Sequence, residues 1–113
     1  MDRKTLNEQA VALHRSGRLA EAESLYLQLL ADDPRDFSAR HLLGVMRAQS
    51  GRMEEGLGDI ALALQIKPDD PEALLNHANV LKLLGRLQLG LLLAGVYPEA
   101  PTTLTPHAAP GVS

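Results

Sequence analysis

Apolar residues recur every three or four positions along most of the chain, which is the spacing of one face of an α-helix. The first such stripe contains Leu6, Ala10 and Leu13, follows a capping-box pattern that begins at Thr5, and ends at Gly17. Another apolar stripe follows this glycine at once. The pattern therefore predicts a helix, a short turn and a second helix that packs antiparallel to the first.

The second predicted helix spans residues 19–32 and stops before Pro34, because the residue that precedes a proline is biased away from helix. The same plan then repeats. A third helix is predicted after Asp36 as its N-cap, the chain turns at Gly51, and a fourth helix returns over residues 53–66.

The third unit starts in the same way but ends differently. A helix is predicted over residues 71–84, followed by a turn at Gly85 and Arg86. The stretch 87–96, which should return along this helix, is apolar on every side. Beyond it the chain is rich in proline, threonine and alanine, and residues 98–113 are predicted to form a disordered tail.

The units repeat with a fixed period. Gly-Arg pairs begin at Gly17, Gly51 and Gly85, each 34 residues apart, and Pro34 and Pro68 recur at the same interval. Self-similarity at this period marks an array of helical repeats. The sequence thus predicts one all-α domain over residues 3–97, with units 3–36, 37–70 and 71–97, the last of them incomplete.

Three glycines lie inside the predicted helices of the middle unit. Each costs about 1 kcal/mol relative to alanine in a helix interior, so a packing reason is expected. Gly44 and Gly56 are predicted to lie where two helices cross closely. Gly58 has no such explanation in the sequence.

Composition and charge narrow the function without identifying it. The 113 residues suit a single domain, and a net charge of −3 provides no basic surface that would predict a nucleic-acid partner. The chain has no cysteine, which excludes disulfides and thiolate metal sites. The N-terminal residues lack an apolar signal segment, and the apolar run 89–97 is too short to span a membrane. We therefore expect a cytoplasmic protein with no membrane association.

Candidate chemistry is sparse. The four histidines include no pair with the i, i+4 spacing of a helical zinc site, and acidic pairs such as Glu54-Glu55 suit the positive end of a helix dipole. We therefore expect no metal, no cofactor and no catalytic residues.

The phased residues resemble the tetratricopeptide repeat family over about residues 3–87. Arg47 departs from the family pattern in a slot that is usually aromatic, and Gly56 stands where the family has alanine. The matching positions are Ala22, Tyr26 and Pro34, then Leu43, Gly44, Ile60, Ala63 and Pro68, and then Ala78, Leu81 and Gly85. The resemblance implies a right-handed α-solenoid of antiparallel helix pairs, whose first helices line a concave groove that binds a peptide or a partner protein.

The family register also implies which residues line that groove. The candidates for partner binding are His14, Arg15, His41, Gln49, Asn79 and Lys82. A weaker similarity, carried by Asn76, Asn79 and residues 82–86, is to the repeats of bacterial proteins related to O-linked N-acetylglucosamine transferase. It leaves open an alternative, the truncated repeat front end of a glycosyltransferase-like protein.

The apolar end of the third unit is the last candidate site. A repeat array normally ends in a helix with a polar outer face, whereas this one ends in a run of leucines. We expect Leu89, Leu91, Leu92 and Leu93 to mediate self-association as a homodimer. The loss of acidic residues beyond Glu72, apart from Glu99, also raises the alternative that the chain is a truncated or frame-shifted form of a longer repeat protein.

Overall fold

The structure is a computed structural model that describes residues 2–93. Every regular element in this part of the chain is an α-helix. The five helices are α1 (Arg3–Arg15), α2 (Leu19–Asp32), α3 (Phe37–Gln49), α4 (Met53–Ile66) and α5 (Pro71–Leu93). The predictions for residues 94–97 of the domain and for the tail 98–113 lie outside the described residues. No helix within residues 2–93 is both long and apolar enough to cross a bilayer.

Two glycine turns join the helices into antiparallel pairs, α1 with α2 and α3 with α4. Gly17 and Gly51 have φ angles of 84° and 93°, in the left-handed region that glycine adopts without a steric penalty. Each turn also closes with the same bond one residue later, from the Arg18 amide to the Leu13 carbonyl at 2.9 Å and from the Arg52 amide to the Arg47 carbonyl at 2.8 Å. The two predicted turns are confirmed.

An aspartate begins each first helix. Asp2, Asp36 and Asp70, spaced 34 residues apart, accept hydrogen bonds from the amides of Thr5, Ala39 and Ala73 at 2.8, 3.0 and 2.9 Å. The expected capping box at Thr5 is therefore wrong, because Thr5 lies in the first turn of α1 and Asp2 is the cap. The repeat period extends to the capping residue, a regularity that the choice of Thr5 broke.

The core lies between successive pairs as well as within them. Its members from α1, α2 and α3 are Ala10, Ala22, Tyr26, Leu29, Leu30, Ala39, Leu43 and Met46. Ile60 and Ala63 on α4 and Ala73 and Val80 on α5 continue the buried layer. Because no pair could cover these residues alone, the helices stack in order as a solenoid, and the predicted fold class is confirmed.

The closest helix crossing joins α3 to α4 through two glycines. A Cβ atom on Gly44 would lie 2.7 Å from the Gly56 carbonyl oxygen, and one on Gly56 would lie 2.5 Å from the Gly44 carbonyl oxygen. Each glycine therefore makes room for the backbone of the other helix, as predicted. Gly58 has no atom within 4 Å of such a Cβ and faces open space.

The third unit departs from the prediction. The helix α5 runs without interruption from Pro71 to Leu93, so Gly85 and Arg86 do not form a turn. A turn repays its cost when the returning segment forms a stable helix on its partner. Here that segment carries Gly90 and Gly95 and meets Pro98, all of which weaken a helix. Continuing α5 keeps its backbone hydrogen bonds instead.

Candidate functional site

The first helices of the three units, α1, α3 and α5, line one face of the array, and a cleft of about 150 Å³ opens between α3 and α5. Val45, Ala48 and Leu83 provide much of its apolar wall. Three carboxamides lie in the same cleft, those of Gln49, Asn76 and Asn79. An amide both donates and accepts hydrogen bonds, so this cleft combines apolar contact with the groups that an extended peptide backbone needs.

Two hydrogen bonds, each between a histidine and a carboxamide, cross from one first helix to the next. A His14 ring nitrogen lies 2.6 Å from the Gln49 Oε1, joining α1 to α3, and a His41 ring nitrogen lies 2.9 Å from the Asn76 Nδ2, joining α3 to α5. Both pairs are 35 residues apart, one repeat plus one position. These bonds orient the amides along the groove.

His41 differs from its expected role. Its side chain is only 4% exposed and packs beside the Phe37 ring, with ring centroids 5.5 Å apart. A buried ring cannot lie on the groove surface, so His41 supports Asn76 from beneath. Asn76 was absent from the predicted groove residues, although its 35-residue spacing from His41 is a signal that the sequence contains.

The remaining predicted groove residues lie at the surface. Arg15, Gln49, Asn79 and Lys82 are exposed, and His14 is half-buried. Arg15 and Lys82 form no ion pair with any residue in the range 2–93. The structure brings Gln49 and Asn79 together in the cleft, whereas Arg15 on α1 and Lys82 on α5 are outside its lining.

Two buried polar atoms beneath the first repeat lack a hydrogen-bond partner, the Asn7 Oδ1 and the Tyr26 hydroxyl. Tyr26 is fully buried, and this burial raises the pKa of its hydroxyl to about 12. The His14 ring stands edge-on to Tyr26 at 6.5 Å, so the residue that fixes Gln49 also contacts this tyrosine. Packing under the groove has taken precedence over satisfying each polar atom.

A chain of ion pairs lies within the second repeat. Asp59 on α4 is 5% exposed and accepts from Arg47 at 2.7 Å and from Arg40 at 3.2 Å, both on α3. Arg47 and Arg52 also donate to Glu23 on α2. Donation from Arg52, against the opposing effect of burial and with help from Arg47, lowers the pKa of Glu23. Arg47 in an aromatic slot was the sequence signal for this network.

The predicted self-association residues divide between two faces of α5. Leu89, Leu92 and Leu93 are 55%, 38% and 78% exposed, whereas Leu91 is half-buried. Among residues 2–93, no group of three or more histidines, aspartates or glutamates is arranged to hold a metal ion.

Stacked antiparallel helix pairs of 34 residues with a groove along their first helices define a class of protein, the helical-repeat solenoid. A family model described as Tetratricopeptide repeat matches residues 7–71, more than half of the 113 residues. The chain belongs to the tetratricopeptide repeat family. No curated protein sequence matches it. Repeats of this family are generally protein-interaction modules and are typically non-catalytic.

Proposed function

We propose that this protein is a non-catalytic interaction module that binds an extended peptide or a partner segment in the groove of α1, α3 and α5. The observation that carries the proposal is the α3–α5 cleft, where Gln49, Asn76 and Asn79 stand beside Val45 and Leu83. Apolar walls with a few oriented polar groups are the usual composition of a binding site.

The hydrogen bonds of the cleft support the proposal. His41 and His14 fix one end of the Asn76 and Gln49 amides. An amide that is already oriented loses less side-chain entropy when a ligand binds, so it contributes more to affinity. Asn79, exposed beside these two, is the amide that we expect to bond directly to a peptide backbone.

Charge suggests the class of ligand. Arg15 and Lys82 are exposed on the first helices, and neither is neutralised by an acidic residue in the range 2–93. Cations beside a cleft favour a ligand that carries carboxylates, with an attraction that weakens as salt is added. We therefore propose an acidic peptide segment as the ligand.

The test uses peptides selected from a random display library on the full chain, synthesised with a fluorescent label and measured by fluorescence anisotropy. The double variant Asn79→Ala with Lys82→Ala should weaken binding about tenfold or more, because a lost hydrogen bond to a charged or backbone group is worth about 1.5 kcal/mol. Raising the salt concentration should weaken wild-type binding.

A matched double variant separates groove effects from general ones. Gln28 and Gln65 are exposed on the second helices α2 and α4, away from the groove. Gln28→Ala with Gln65→Ala should leave peptide affinity unchanged. If both double variants bind the selected peptides as the wild type does, the groove is not the binding site.

Two finer interpretations belong here as well. We propose a homodimer through the C-terminal apolar segment, because Leu89, Leu92 and Leu93 are exposed on α5. The glycosyltransferase alternative rests only on the likeness of Asn76, Asn79 and residues 82–86 to repeats of that group, and it stays a prediction.

A further inference from the structure

One face of α5 is apolar along its whole length and contacts no other described helix closely enough to be covered. Its residues follow helical spacing, so they form a single line. We call them the outer stripe: Leu74, Ala78, Leu81, Gly85, Leu89 and Leu92. All six are exposed, the leucines by 38–55% of their surface. The opposite face holds the groove residues Asn76, Asn79 and Leu83, so the two surfaces are separate.

The stripe lies where the second helix of the third repeat would pack. In the first two repeats the equivalent positions are occupied by Ala10 and Leu13, then by Gly44 and Arg47, and these residues contact α2 and α4. In the third repeat α5 continues straight on, so the described chain supplies no such helix. An apolar line of this length exposed to water is a surface for association.

Gly85 is the second observation. A Cβ atom on this glycine would have no atom within 4 Å, so nothing in the described chain requires a glycine there. Its φ angle is not in the left-handed region either, because only Gly17 and Gly51 have positive φ among the described residues. Glycine in a helix interior costs about 1 kcal/mol relative to alanine. A close neighbour outside the chain would explain that cost.

The order of large and small residues along the stripe identifies the neighbour as a second copy. Placed antiparallel about position 83, Leu74 faces Leu92 of the second copy, Ala78 faces Leu89, and Leu81 faces Gly85. Each of the four central positions thus sets a large residue against a small one, and the two-fold axis repeats every contact. A parallel pairing would instead place Gly85 against Gly85 and Ala78 against Ala78, which leaves voids.

We infer that two copies of this chain associate through antiparallel packing of their outer stripes, with Leu81 of each seated over Gly85 of the other. The inference deepens the proposed homodimer and moves it from the leucines of residues 89–93 to the whole face of α5. Leu91 and Leu93 lie off this line and contribute little. Each copy supplies the helix that the other's third repeat lacks.

The first test is light scattering after gel filtration of the full chain at micromolar concentration, where the mass should be twice 12.2 kDa. Gly85→Gln should shift the protein to a monomer, because a long polar side chain fills the space that Leu81 of the second copy occupies. Gly90→Gln is the matched control. It changes the same residue type on the same helix, away from the stripe, also with nothing within 4 Å, and should remain a dimer.

The second test maps the geometry by disulfide crosslinking, which has no background because the chain has no cysteine. Leu74→Cys with Leu92→Cys should give a covalent dimer on a non-reducing gel, since the two positions are about 27 Å apart within one helix and cannot pair with each other. Leu75→Cys with Leu93→Cys has the same spacing off the stripe and should crosslink far less. Crosslinking of Leu74→Cys alone would indicate parallel pairing and overturn the proposed geometry.

The remaining outcomes are equally decisive. A wild-type mass of 12.2 kDa overturns the inference. If such a monomer also loses thermal stability in Gly85→Gln, residues 94–113 of the same chain cover the stripe. A dimer that both glutamine variants leave intact places the interface elsewhere and overturns it as well. Peptide binding by a monomeric Gly85→Gln protein keeps the groove proposal, so the two proposals fail independently.

Discussion

Single positions show how the family pattern and this protein's own packing differ. Tyr26 occupies the place that the repeat pattern reserves for a large aromatic residue, and it is fully buried. Its hydroxyl has no hydrogen-bond partner, so the ring is useful to the fold and the polar atom is not. A buried polar group without a partner costs about 1–3 kcal/mol.

Replacing Tyr26 with phenylalanine should therefore stabilise the protein. We expect the free energy of unfolding of Tyr26→Phe to rise by about 1 kcal/mol at neutral pH, because the ring is kept and the unpaired hydroxyl is removed. Urea denaturation followed by circular dichroism measures this difference. A loss of stability of the same size would mean that the hydroxyl has a partner, such as an ordered water.

The same residue predicts a dependence on alkaline pH. Burial raises the pKa of Tyr26 from 10.0 to about 12, so the unfolded chain loses this proton first as the pH rises. Ionisation then favours the unfolded state, and the stability gained from Tyr26 falls between pH 10 and 12 by about 1.4 kcal/mol per pH unit. Tyr26→Phe should lack this part of the slope, whereas Tyr97 titrates in both proteins. Parallel denaturation curves over this range would contradict the raised pKa.

At the scale of elements, the contact of α3 with α4 combines a close backbone approach with a buried ion network. Gly44 and Gly56 bring the two backbones together, and Asp59 lies beside them between Arg40 and Arg47. The periodicity of α4 predicted that Leu57 and Leu64 would be its buried residues. Gly56, Asp59, Ile60 and Ala63 are the buried ones instead, because close packing on α3 buries the small face of the helix.

The two glycines of α4 make a matched pair for mutation. Gly56→Ala places a Cβ atom 2.5 Å from the Gly44 carbonyl oxygen and 2.8 Å from the Ala48 amide nitrogen, both of them backbone atoms. We expect it to destabilise the protein by about 2 kcal/mol or more, although alanine favours the helix. Gly58→Ala meets no atom within 4 Å and should stabilise it by about 1 kcal/mol. Thermal denaturation of both variants checks the prediction, and equal shifts would show that the crossing is looser than described.

At the scale of the whole molecule, stability is shared between neighbours along a line. The order of contact is α1 with α2, α2 with α3, α3 with α4, and α4 with α5, with a small contact of α3 with α5. In such an array each repeat depends on the next, and the central pair has neighbours on both sides. The ends have one.

Native-state hydrogen exchange should show this gradient. We expect the slowest amides in α3 and α4, intermediate ones in α2, and the fastest in the first turn of α1, because local opening is easiest where few neighbours pack. In the dimer, residues 81–89 of α5 should exchange slowly too, and Gly85→Gln should make them fast without changing α3. Uniform protection along the chain would instead indicate one cooperative unit.

The period of 34 and the alternation of glycine, proline and leucine were enough to determine the helix pairs, their turns at Gly17 and Gly51, and the stacked fold, because these are local signals repeated in phase. Tertiary structure alone decided that His41 lies beneath the groove, that Asp59 is buried between two arginines, and that α5 runs through Gly85. These outcomes depend on which neighbour a side chain meets. Periodicity specifies the face on which a residue lies, but not what covers that face.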